Sequence, residues 1–188
     1  MLFYTIPYLF FFLPLTLLLF FMGGYFKIDR KIILILVSIF FYSWWNIYYL
    51  PVILFSIIIN YYFYKKLVSR ELNKKKTLLK GIALNVLVLI IFKYTDFIIE
   101  NINLVFSTSI SHLNLPFPLA ISFYTFQTIA FLINVYDEDI LDVKMKDFFL
   151  FVVFFPQLIA GPIVKYNNMM PQFSNENNKW FNKRNFII

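Results

Sequence analysis

Thirty-three consecutive residues without a charge, Ile32 to Tyr64, limit the fold of this chain more than any other feature. As one α-helix they would measure about 50 Å, against about 30 Å of bilayer hydrocarbon. A soluble core cannot hide such a run, and a single crossing is too short for it, so the run must break. The Trp44-Trp45-Asn46 cluster and Pro51 divide it, and paired tryptophans favour the membrane interface. Two short helices in a tight hairpin, 32–46 and 48–64, are expected.

Composition extends this to the whole chain. Hydrophobic residues make up 61% and charged residues 14%, a balance that belongs to polytopic membrane proteins. There is no cysteine, hence no disulfide or thiol chemistry. The net charge of +7 is gathered in loops between apolar runs. It therefore reads as an orientation signal and not as a nucleic-acid footprint. Lys27, Arg30 and Lys31 lie in 23–31; Lys65, Lys66, Arg70, Lys74, Lys75, Lys76 and Lys80 lie in 65–80. Both loops then face the cytoplasm, with the N-terminus, and loop 107–118, outside. The second loop is also suited to anionic headgroups, with an acidic acyl carrier as the alternative partner. Residues 1–22 lack the basic n-region and small-residue cleavage site of a signal peptide, and are expected as a retained helix kinked at Pro7 and Pro14. With spans at 78–106 and 119–136, the expectation is a single membrane domain over 1–188: an all-α polytopic transmembrane helical bundle.

The stretch from Leu115 to Pro171 departs from plain spans. Pro156, Gly161 and Pro162 interrupt the apolar segment 148–164. Broken backbone at membrane depth survives only inside protein or beside a wet cavity, so this piece is expected as a re-entrant element. In the preceding span Ser122, Thr125, Gln127 and Asn134 are intramembrane polar candidates, for bonds to neighbouring helices or for contact with a ligand. Lys93, Asp96 and Glu100 share one helical face near the outer interface, either as a mutually paired cluster or as the lining of a polar funnel. His112 stands alone in its loop. Asp137, Glu138, Asp139 and Asp142 lack metal-loop spacing and read as a solvated cap, with no metal site. Residues 165–184 read as a polar cytoplasmic loop. No Gly-rich phosphate loop and no nucleophile with a base is spelled out. The residues alone suit a transporter or channel subunit, or a non-catalytic scaffold of a polysaccharide assembly, as well as an enzyme.

Two segments carry a resemblance. Leu115-Pro-Phe-Pro-Leu-Ala-Ile-Ser-Phe-Tyr-Thr-Phe-Gln127 and Phe154-Phe-Pro-Gln-Leu-Ile-Ala-Gly-Pro-Ile-Val-Lys-Tyr166, with Phe92-Lys-Tyr-Thr-Asp-Phe97, resemble the N-terminal portion of the membrane-bound O-acyltransferase family, nearest its alginate O-acetylases. Ala120 stands where the family has glycine, and Lys165 where it has arginine. The resemblance implies transfer of an acyl group, acetyl in the nearest branch, from a cytoplasmic donor to hydroxyls of an extracytoplasmic polysaccharide such as alginate or peptidoglycan. The donor fits an acyl-CoA or an acyl carrier protein, and an extracytoplasmic transferase is a further implied partner besides the bilayer. No bound cofactor is implied. The resemblance also implies a multi-pass protein of the cell membrane, with Pro156, Gln157, Gly161 and Pro162 shaping a tunnel wall. Its catalytic histidine lies in a later half that this chain does not match. His112 fits no motif, so no catalytic residue is assigned, and the chain alone is expected to be inert.

Overall fold

The computed structural model describes residues 5–26, 28–69, 73–115, 118–140, 142–160 and 164–174. Among them are eight α-helices and no strand: α1 Leu13–Tyr25, α2 Arg30–Trp45, α3 Leu50–Val68, α4 Lys74–Phe106, α5 Ile121–Tyr136, α6 Met145–Val153, α7 Phe155–Ala160 and α8 Tyr166–Ser174. Three helical stretches are long and apolar enough to cross a membrane, Tyr8–Tyr25, Ile47–Val68 and Lys74–Phe106, while Ile121–Tyr136 is apolar but shorter. The chain folds as an all-α membrane protein in two compact units, Pro51–Leu141 and the residues flanking it on either side.

Each interruption has a local cause. A π-helical turn, Tyr8–Phe12, sits between Pro7 and Pro14 and closes with the Leu13 N–H on the Tyr8 carbonyl. The hydroxyl of Thr16 donates to the Phe12 carbonyl at 2.7 Å. The break in the long uncharged run falls at Asn46, whose backbone is extended and whose side-chain oxygen accepts from the Tyr48 N–H at 2.9 Å. A single 3₁₀ turn follows, and Pro51 then lies in the first turn of α3. α4 starts at Lys74, a turn earlier than the expected span, because lysine is a good helix former with a long apolar stem. Residues 166–174, read as loop from their asparagines, form α8, which buries Tyr166, Met169 and Met170 at helical spacing.

In the flanking unit α2 and α6 run side by side in the same direction. Lys31 Nζ meets Asp147 Oδ1 at 2.8 Å where both helices begin, with side chains only 16% and 17% exposed. Lys146 pairs with Asp29, whose carboxylate also caps α2 by accepting from the Lys31 N–H at 3.0 Å. Partial burial pushes the Asp29 carboxyl up, but the bond from Lys146, the Lys31 N–H and the two ammonium charges outweigh it and hold the group below its ordinary range. Toward the other end Tyr8, Phe12, Phe41 and Phe155 form an aromatic core, with Phe155 5.2 Å from both Phe12 and Phe41.

In the central unit α4 runs antiparallel to both α3 and α5. Lys74 at its start pairs with Glu138 at the end of α5 (2.9 Å). Gly81 makes the close packing possible, since a Cβ there would lie 2.9 Å from Leu132 Cδ1 and 3.3 Å from the Phe63 ring. α5 opens on Ala120 at φ 57°, in the left-handed region. That geometry explains why a glycine suits the position. Left-handed backbone costs a side-chain-bearing residue about 1–2 kcal/mol, so Ala120→Gly is expected to stabilise the protein by about 1 kcal/mol. The thermal midpoint in detergent measures it; an unchanged or lower midpoint would refute the strain.

Candidate functional site

The central unit carries a polar node in an apolar setting. Asn60 of α3 and Asn85 of α4, 0% and 6% exposed, exchange amide hydrogen bonds in both directions, at 3.0 and 2.7 Å. The remaining N–H groups donate to the Ser56 carbonyl and the Gly81 carbonyl, each at 2.8 Å. Thr128 of α5, fully buried, reaches the Asn85 oxygen at 3.2 Å while also donating to the Tyr124 carbonyl at 2.8 Å. Three helices are thereby joined at one level. A cavity of about 10 Å³ beside the node, lined in part by Ser56, Asn85 and Thr125, is at the lower limit for one water molecule. The arrangement fixes helices; it has no room for a substrate.

Of the candidates in α5, Thr125 and Gln127 are buried, at 2% and 1% exposed, while Ser122 and Asn134 are half-buried. Thr125 joins the surroundings of the node. Ser122 instead lies 3.4 Å from Lys93 Nζ. Asp96 turns to the loop after α4, accepting from the N–H groups of Leu113 (2.9 Å) and Asn114 (3.4 Å), with His112 Nδ1 at 4.0 Å. Lys93 and Asp96 thus share a helical face but hold different partners. His112 is exposed and far in sequence from any buried polar group. Among the described residues no three His, Cys, Asp or Glu side chains are grouped to hold a metal.

The broken segment belongs to the flanking unit. α6 ends at Val153, Phe154 adopts a non-helical ψ of 104°, and α7 restarts at Phe155 with Pro156 in its first turn. Gln157 is buried (8% exposed) and Pro156 half-buried. Gly161 and Pro162 lie outside the described residues. The break leaves the Phe155 N–H without a helical acceptor, and the hydroxyl of Ser38 on α2, 0% exposed, takes it at 3.3 Å. Sequence reasoning missed Ser38, Asn60, Asn85 and Thr128. The signal for the asparagines was present: each is a strongly polar amide inside an apolar helix, where a partner on another helix is required.

Two substitutions test these contacts. Ser38→Ala leaves the buried Phe155 donor unmatched and is expected to cost about 1–3 kcal/mol, read as a lower unfolding midpoint. A cost near zero would mean that the junction has another acceptor. Asn85→Leu should cost about 1–2 kcal/mol, whereas Asn60→Leu with Asn85→Leu should cost less than the two singles together, since paired removal leaves fewer orphan groups. Additive losses would rule out the reciprocal bond as the source.

Comparison with characterised proteins places these features in a wider context. No family model matches the chain. No solved structure matches it. The peptidoglycan O-acetyltransferase of Helicobacter pylori is 41% identical over 140 residues, covering 61% of this chain and 27% of that protein. The probable alginate O-acetylases AlgI of Pseudomonas putida and Pseudomonas aeruginosa are 33% and 34% identical over 108 and 107 residues, covering 54% and 53% of this chain and 22% and 20% of theirs. The matched stretch thus spans about a quarter of the length of these relatives. Over that stretch the chain is similar in sequence to a bacterial peptidoglycan O-acetyltransferase and to probable alginate O-acetylases, in line with the resemblance its motifs carry.

Proposed function

We propose that this chain takes part in O-acetyl transfer at the cell membrane, to hydroxyls of an extracytoplasmic polysaccharide such as peptidoglycan or alginate. The observation that carries the reading is the 41% identity with a peptidoglycan O-acetyltransferase over 140 residues. In this reading the donor, an acyl-CoA or an acyl carrier protein, is used from the cytoplasmic side. The chain spans the membrane several times and supplies part of the frame in which donor and acceptor meet. Pro156 and Gln157, with Gly161 and Pro162, shape a wall of that passage, and Gln157 is the member suited to touch a ligand. Lys93 and Asp96 belong to the outer polar face where the acceptor arrives. An extracytoplasmic transferase is a fitting partner there.

The frame contributes by positioning, which can remove a large part of the barrier when donor and acceptor are held in reacting geometry. A general base for the acceptor hydroxyl contributes a further 10²–10⁴-fold typically. We assign that base to none of the residues described. His112 is exposed on a loop beside Asp96 and is not placed at membrane depth in this reading.

Ester-linked acetate released by mild alkali from the peptidoglycan and exopolysaccharide of the source cells measures the activity. Deleting the gene is expected to lower it, and restoring the gene carrying His112→Ala should recover the wild-type level. Unchanged acetate after deletion would end the acetylation reading. Loss of acetate in His112→Ala alone would end the assignment of these residues to the frame.

A further inference from the structure

We propose that Lys65, Lys76 and Lys80, at the α3–α4 turn, form a surface that selects anionic phospholipid headgroups from the leaflet it faces. The inference is independent of the acetylation reading. On α3, Phe55, Ile58 and Tyr62 are 50%, 62% and 49% exposed and fall at i, i+3 and i+7. In a membrane protein such a stripe meets acyl chains. Lys65 continues it, with its Nζ 5.5 Å from the Tyr61 ring centre, and Lys66 lies beside it, 4.9 Å from the Tyr62 ring centre. On α4 the exposed Tyr94, Ile91 and Leu87 continue through Ala83 to Lys80 and Lys76, again on one face. Both lipid-facing stripes therefore end in exposed lysines.

The polar node sets their depth. Lys65 and Lys80 are each five residues from Asn60 and Asn85, about 8 Å along their helices, and Lys76 is about 14 Å from Asn85. If the node lies near the bilayer centre, lysine stems reach the headgroup layer, which begins about 15 Å away. Lys74 differs from the others, because it is held by Glu138 at 2.9 Å. Among the described residues six lysines occupy this end, Lys65, Lys66, Lys74, Lys75, Lys76 and Lys80, against Asp137, Glu138 and Asp139. The balance is positive, and the lysines at the ends of the stripes are those aligned with lipid. A lysine near an anionic surface favours it by up to about fivefold in binding, and less where salt screens it.

Purified full chain in nanodiscs would be probed with spin-labelled phosphatidylglycerol and spin-labelled phosphatidylcholine. The wild type is expected to prefer phosphatidylglycerol by about tenfold, and the preference should collapse at high ionic strength. Lys65→Gln with Lys76→Gln and Lys80→Gln should reduce it below about threefold, while Lys74→Gln leaves it intact. Circular dichroism checks that the triple variant is helical, and Lys80→Gln alone supplies a milder version with a partial loss. Equal association of the two lipids with the wild type would overturn the proposal. So would a triple variant that keeps its lipid preference but loses binding of a purified acidic acyl carrier protein, which would assign the lysines to a protein partner.

Discussion

Hydrocarbon offers no hydrogen bond to a peptide group that has lost its helical partner, and that constraint governs where this chain can bend. Every interruption described is met from within. Asn46 supplies the acceptor where α2 gives way to a 3₁₀ turn, and Thr16 donates to a carbonyl in the π turn ahead of it. Ser38 receives the donor freed between α6 and α7. The prolines decide that the helix stops. The hydroxyls and amides decide that stopping there is tolerable.

This division explains what could be read from the sequence. Pro51 and the tryptophan pair announced the end of α2, and Pro156 announced the end of α6, because a missing N–H acts on its own segment. Ala120 was marked as a departure from glycine, and the structure supplies the reason in its left-handed φ. The partners were not legible. Ser38 and Phe155 are separated by 117 positions, and a lone serine in an apolar helix has many uses. Asn60 and Asn85 are individually conspicuous, yet only the packing of α3 on α4 aligns them. α8 was hidden by its asparagines, although Tyr166, Met169, Met170 and Phe173 repeat at helical spacing. Of the site candidates, the motif residues were found from a resemblance, and the geometry adds surroundings for Thr125, Ser122, Asp96 and Gln157 without drawing them into one site.

Polar side chains in this protein thus fall into separate tasks. Asn60, Asn85 and Thr128 set the relative height of three helices. Asp29, Lys31, Lys146 and Asp147 fasten the starts of α2 and α6, where half-burial shields the Lys31–Asp147 pair from the screening that weakens exposed ion pairs. Lys93 reaches Ser122 on α5, and Asp96 holds the backbone of the loop after α4 at Leu113 and Asn114.

The reciprocal amide pair has an evolutionary consequence. Asn60 and Asn85 satisfy one another twice over, so a change at one strands both a donor and an acceptor of the other. A lineage cannot drift smoothly away from such an arrangement, because each single step passes through a less stable protein. The two positions behave as one inherited character with two codons. They are retained together, or replaced together by a pair that is content in hydrocarbon.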